Sequence, residues 1–214
     1  MPARIKGVSA KLTEAAREEF LEKGFESASI RDIAAKAGTS PRAVYTRFKN
    51  KEELFAAVVR PVLDGFYKQF MADKEDYWDE ESAKNRRPED YYIRYLEYAY
   101  AHRTEFILVL ERSAGTRYEG FIKDLAEADI RSVFCHLEML HTHGTDFGAD
   151  ETDILFMESI TYSFYSDLFK PLTKGMPLDK AKKYAAALTN FYNFGLMGIM
   201  GMTSPPGNII KNNV

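Results

Sequence analysis

An all-α fold of about nine helices is what the sequence predicts, and three observations carry it. Apolar residues recur at helical spacing along most of the 214 residues. Glycine, proline and Ser/Thr/Asn capping residues fall where those periodic runs stop and restart. Strand-period alternation, an Asn-Gly hairpin signal and internal repeats are all missing from the sequence.

Each element follows in order. Val8, Leu12, Ala16 and Phe20 recur every four residues, with Ala15 beside them, and Gly24 offers the stop of a first helix. Ser29 opens a second helix, and Asp32 three residues on completes a capping-box pattern. Ile30, Ile33, Ala34 and Ala37 form its apolar face, and Gly38 ends it. Ser40 and Pro41 begin a third helix at once, as N-cap and first helical residue, with Val44 and Phe48 facing inward. Asn50 caps a fourth, with Glu52 and Glu53 at its positive end. Residues 73–90 are dense in charge without periodicity and predict a loop or frayed helix end. Pro88 then opens one long tyrosine-rich helix, interrupted at Gly115 and Thr116. Later breaks are predicted over 142–150 and 170–177.

Composition bounds the function. Apolar residues make up 45% of the chain, enough for a sizeable core and too many for disorder. A lone cysteine, Cys135, excludes an internal disulfide framework and fits a reducing compartment. The N-terminal residues carry no apolar signal region, so a cytoplasmic protein is expected. Charge is divided unevenly: residues 1–60 hold 12 Lys and Arg against 8 Asp and Glu, and the remainder 17 against 24. A basic head on an acidic body predicts an anionic partner for the head alone.

The head concentrates that charge. Between Asp32 and Glu52 lie Lys36, Arg42, Arg47, Lys49 and Lys51, with no acidic residue among them. Two short helices joined by a tight glycine turn, the second lined with cations, describe a helix-turn-helix whose second helix enters a major groove. Ala34 is small where the helices cross, and Gly38 turns the chain without a Cβ penalty. Ile33, Ala37, Val44 and Phe48 hold the second helix against the first. Cations on the docking face supply affinity for a duplex bearing one charge per roughly 1.7 Å of axis. Arg42, near the start of the inserted helix, is the candidate base reader, since arginine on guanine is the commonest specific contact. Thr39, Ser40 and Thr46 offer hydroxyls, and Tyr45 can turn its hydroxyl to a phosphate while its ring packs on the scaffold.

The stretch GFESASIRDIAAKAGTSPRAVYTRFKNKEELF resembles the N-terminal DNA-binding signature of the tetracycline-repressor (TetR) family. "SIRDIAAKAG", "SPRAVYTRF" and "KEEL" match in order and spacing over roughly residues 8–58. The resemblance implies phosphate contacts from Tyr45, Lys49 and Lys51. It places Ser29, Thr39, Ser40, Pro41, Arg42, Thr46 and Arg47 on the DNA side, and Arg31 joins these candidates. Thr39 stands where the family usually has Val, and Arg47 where it often has His. A basic run is also what any solvated helix face carries, and Arg4 and Lys6 fit a frayed terminus as well as a minor-groove arm.

A single small helix-turn-helix reads few base pairs, so a symmetric dimer is expected. Residues 184–210 contain no charged residue, and Gly195, Gly198 and Gly201 form a stripe of small residues that lets another helix approach. Phe191 and Phe194 complete the dimer-interface candidates. A membrane span is the rival reading, opposed by Thr189, Asn190, Asn193 and the Pro205–Pro206 end. In the resembled family the last two long helices, here about 150–172 and 178–203, pair with their mates as a four-helix bundle.

Residues 88–172 are crowded with aromatics, which core packing alone explains residue by residue. The resemblance implies an effector pocket in this part. Tyr95, Tyr98, Phe106, Leu110, Phe121, Phe134, Phe156 and Tyr162 are the pocket candidates. Glu97, Glu105, Glu111 and Glu158 fit a cationic effector or plain surface carboxylates. His136, His141 and His143 lack metal-ligand spacing, so neither metal nor cofactor is expected. Cys135 reads as a small buried hydrophobe. No phosphate-binding glycine loop, Gly-x-Ser-x-Gly elbow or His-Glu-x-x-His motif appears.

The expectation is therefore a non-enzymatic, homodimeric transcription regulator, a repressor released from a palindromic operator by an unidentified small molecule. Residues 1–58 would form the DNA-binding domain and 59–214 the effector and dimerisation domain. A nonspecific DNA-coating protein and a helical enzyme acting on a phosphorylated substrate are the alternatives.

Overall fold

The computed structural model describes residues 3–77, 87–141 and 151–199, with side chains over 9–76, 87–135 and 151–196. Among the described residues there are nine helices and no strand: α1 (Ala3–Ser27), α2 (Ile30–Lys36), α3 (Pro41–Tyr45), α4 (Lys51–Tyr77), α5 (Pro88–Ala101), α6 (Arg103–Glu111), α7 (Phe121–His141), α8 (Glu151–Thr173) and α9 (Leu178–Ile199). The all-α prediction holds. Two boundaries differ from the sequence reading. The tyrosine-rich helix is two helices, α5 and α6, parted at His102, whose backbone (φ −118°, ψ 42°) is not helical. Nothing in the local sequence punctuates that break, since neither glycine nor proline stands there. The charged stretch expected as a loop from residue 73 is helical through Tyr77. Its charges face protein partners: Lys74 meets Asp129, Asp73 meets Arg94 and Asp76 meets Tyr91. Polar residues engaged in this way erase the apolar period on which the prediction relied.

The helices pack as two units. The first takes the chain to Tyr67 together with His102–Phe121, and the second takes Lys68–Ala101 and the chain from Ile122 onward. The expected division at residue 58 falls inside α4, and the first unit reaches past it and takes in α6.

In the first unit, α1 packs on α2 and α6, and α2 on α3. Leu12, Ala16, Phe20, Ile33, Ala34, Val44, Leu54 and Phe55 are its buried core. Phe20 and Phe55 meet edge to face at 5.1 Å, and Phe25 closes the triangle at 5.9 and 5.6 Å. Such offset aromatic pairs contribute about 0.5–1.5 kcal/mol each beyond the area they bury. A second triangle joins Phe66, Phe106 and Phe121. Polar contacts fasten α6 and its loop in place. Arg17 Nε lies 3.1 Å from Glu105 Oε1, the Phe25 amide donates to the Arg112 carbonyl at 2.9 Å, and the Arg117 amide donates to Glu52 Oε1 at 3.0 Å.

In the second unit, α5 packs on α8 and α9, which also pack on each other. Tyr95, Leu96, Phe164, Tyr165, Leu168, Phe169 and Leu172 are buried there. A polar network crosses this apolar interior. Lys74 Nζ stands 2.6 Å from Asp129 Oδ1, and the Tyr165 hydroxyl donates to Asp129 Oδ2 at 2.7 Å. The same ammonium lies over the rings of Phe70 and Tyr92, at 5.1 and 5.6 Å. Cys135, expected to be buried, is exposed. It follows exposed Arg131 by four residues and so shares the outer face of α7.

Candidate nucleic-acid interface

The recognition element is built by two caps and one glycine. Ser29, extended at φ −114°, accepts the Arg31 amide on its Oγ at 3.1 Å and starts α2. Gly38 has φ +64°, a left-handed conformation that a Cβ would strain although no atom crowds the position. The Thr39 amide then donates to the Ala34 carbonyl at 2.9 Å, which folds the chain back on α2. Ser40 accepts the Ala43 amide at 3.3 Å and Pro41 follows it, so α3 starts with no unsatisfied donor at its first position.

Only one residue of α3 is buried, Val44, which anchors the helix. Pro41, Arg42, Tyr45, Thr46, Arg47 and Lys49 are exposed around it. Tyr45 is 55% exposed, a large aromatic with no packing reason to face solvent. Thr46 donates its hydroxyl to the Arg42 carbonyl at 2.9 Å, and Arg47 Nη1 donates to the Ala43 carbonyl at 3.0 Å. Both groups are tied to the turn below them, while Arg42, Tyr45 and Lys49 are exposed beside them.

The five cations of the basic stretch divide in two. Lys36 Nζ lies 2.7 Å from Glu19 and 3.2 Å from Glu22, while Lys23 holds Glu19 at 2.7 Å and Asp32 at 3.0 Å. Glu19 has no exposed surface, so the pair of lysines clasps a buried carboxylate where α1 crosses α2. Burial acts to push that carboxyl up, but the bonds and charges of Lys23 and Lys36 outweigh it and hold the group below its ordinary value. Lys51 donates to the carbonyls of Glu26 (3.0 Å) and Ala28 (3.1 Å) and sits 4.6 Å over the Phe25 ring. Its burial pushes its pKa down, with the charge of Glu26 opposing. Among the described residues, Arg31, Arg42 and Lys49 are exposed cations with no ion-pair partner.

The other candidates are scattered. Phe106, Leu110 and Phe121 lie in the first unit, while Tyr95, Tyr98, Phe134, Phe156 and Tyr162 lie in the second. Phe106 and Phe121 pack against Phe66 in its core, and Phe156 and Tyr162 are exposed on α8. Glu105 and Glu97 already face protein cations, Arg17 and Lys182. Phe191 and Phe194 stand out on α9 at 75% and 62% exposure, and a Cβ on Gly195 would meet open space. The side chains of His136, His141 and His143, the surroundings of Gly198, and Gly201 lie outside the described residues. Among the described residues no cluster of His, Cys, Asp or Glu could hold a metal, and no helix is long and apolar enough to cross a membrane.

Residues 12–58 match the sequence model of bacterial regulatory proteins, tetR family. Residues 12–58 thus carry the N-terminal signature of that family. That model describes regulatory proteins, and the matched residues contain the whole helix-turn-helix, α2 and α3. The chain is similar to an uncharacterized HTH-type transcriptional regulator, YvdT, of Bacillus subtilis, with 36% identity over 81 residues. That match covers 36% of this chain and 42% of the relative, less than half of its length. Two solved structures share the fold. A transcriptional regulator of Aquifex aeolicus, described as TerR/AcrR family, is 21% identical over 86% of this chain and 99% of its own, with a TM-score of 0.58. A TetR-like regulator of Rhodococcus sp. RHA1 is 19% identical over 91% and 96%, with a TM-score of 0.54.

Proposed function

We propose that the whole chain is a homodimeric, one-component transcription repressor that leaves a palindromic operator when a small molecule occupies its second unit. The observation that carries this reading is the α3 face, where Arg42, Tyr45 and Lys49 are exposed while Val44 alone is buried. An inserted helix needs that one-sided anchoring, because its outer side must be free to approach base edges. Arg42 reads a base; Tyr45 and Lys49 hold phosphates; Ser29, Arg31, Thr39, Ser40 and Pro41 flank them along the same surface. Two heads on one duplex require half-sites one or more turns apart, at about 34–36 Å per turn. Exposed apolar residues of α8 and α9, among them Leu155, Phe191 and Phe194, support a second copy of the chain as the partner of the body.

Effector recognition belongs to the second unit in this reading, near Tyr95, Tyr98, Lys74, Asp129 and Tyr165. A buried network of charges and tyrosine hydroxyls offers directional contacts inside an apolar interior, which suits a small ligand of mixed polarity. Release then requires the ligand to favour the DNA-free conformation by a real difference in affinity. The reading places the protein in the cytoplasm, with the DNA. Selection of bound duplexes from a random pool tests it. A palindrome is expected; an even yield across random sequences would favour a nonspecific coating protein instead.

A further inference from the structure

We infer that Lys51 is a positioning residue of the DNA-binding head and not one of its phosphate contacts. The proposal rests on the DNA-binding reading above and refines it. Gly24 (φ +76°, ψ 165°) breaks the helical path within α1, and the turn that follows it before α2 presents backbone carbonyls to a side-chain donor. Lys51 Nζ fills that place, donating to the Glu26 and Ala28 carbonyls at 3.0 and 3.1 Å with the Phe25 ring 4.6 Å below. The geometry ties three segments together. Glu26 is in the short turn after the kink at Gly24, Ala28 immediately precedes the Ser29 cap of α2, and Lys51 is the first residue of α4. Helix α3 lies between α2 and α4 in the chain, so one ammonium holds both flanks of the recognition helix to a common base. Lys49, two residues earlier, is exposed and has no such partner among the described residues. One lysine of the pair is therefore available to a phosphate, and the other is already engaged with carbonyls that a phosphate would have to displace.

The distinction is measurable because a phosphate-bound lysine releases counterions and an internal clasp does not. Lys49→Met and Lys51→Met are compared in the full chain on the selected duplex across a salt series. For Lys49→Met we expect weaker binding and a log–log salt slope shallower by about 0.9 for each phosphate no longer neutralised. Lys51→Met weakens binding about 10-fold at every salt concentration, as loss of a hydrogen bond to a charged group would, and leaves the slope unchanged. Lys51→Arg, which keeps the donors, restores most of the affinity. A shallower slope for Lys51→Met, or unaltered affinity, overturns the proposal. A second measurement uses the unmodified protein without DNA. Nitrogen-15 detection of lysine ammonium groups should show Lys51 protected from solvent exchange and Lys49 exchanging fast, with Lys49 slowed only when duplex is added. Equal exchange of the two in the free protein overturns the proposal, whatever the duplex selection yields.

Discussion

At the scale of single residues, the recognition surface is a division of labour among cations that look alike in the sequence. Lys36 closes an ion-pair clasp, Lys51 satisfies carbonyls, and Arg42 is left projecting from the first turn of α3. An arginine placed there discriminates bases through its paired donors, and losing it affects sequence preference more than overall charge. Arg42→Ala is expected to cost about 1–3 kcal/mol on the preferred operator and much less on random duplex. Competition binding between the two duplexes reads this directly. An unchanged preference would assign base reading to another side chain. The exposure of Arg42, Tyr45 and Lys49 was legible in the sequence because the caps at Ser29 and Ser40 and the turn at Gly38 fix their phase. It could not separate Lys36 and Lys51 from them, since carboxylate and carbonyl partners 14 to 25 residues away have no local signature.

At the scale of elements, two polar clasps set how helices cross. The first joins α1 to α2 through Glu19. Its folded pKa lies below the ordinary 4.5, so its contribution is complete above that value and fades as pH falls through the folded one. The pKa values of Lys23 and Lys36 are raised above their ordinary 10.5, chiefly by hydrogen bonds to Glu19, so their contribution is lost only at pH above that value. The clasp is thus intact across neutral pH and fails on the acid side. Glu19→Gln should lower the urea midpoint at neutral pH and give a flatter fall below about pH 4.5 than the parent protein. Parallel acid curves would show that the clasp contributes nothing to acid sensitivity. The second clasp, within the second unit, joins the end of α4 to α7 and α8 through Lys74, Asp129 and Tyr165. Asp129→Asn leaves the Lys74 ammonium buried without a counter-charge, and we expect a loss of about 3 kcal/mol in urea unfolding. Asp129→Asn paired with Lys74→Met should recover part of that loss, because removing both charges removes the unmatched one. Periodicity finds helices through apolar faces, so the α4 extension beyond residue 72, held by charges, went unread, as did the unpunctuated break at His102.

At the scale of the whole molecule, the question is what covers the apolar side chains that the chain leaves outside. Leu155 is 64% exposed on α8, and Phe191 and Phe194 project from α9, a pair of helices that pack on each other. A stretch free of charge is ambiguous in the sequence between core, membrane and interface. Exposed Phe191 and Phe194 give the described part of that stretch an apolar surface, which supports the proposed interface. In the proposed reading the partner is a second copy, because a palindromic operator would demand two heads related by the same two-fold axis. Phe191→Glu with Phe194→Glu places four like charges across such an interface while disturbing little in the monomer, where both side chains are already solvated. Sedimentation should then show a monomer of unchanged helical content. Operator affinity should drop by about 100-fold or more, since each head loses the effective concentration that its mate supplied. Single half-site binding by the variant should match that of the parent protein, because α3 and its supports are untouched. A variant that still sediments as a dimer would move the interface away from the exposed face of α9.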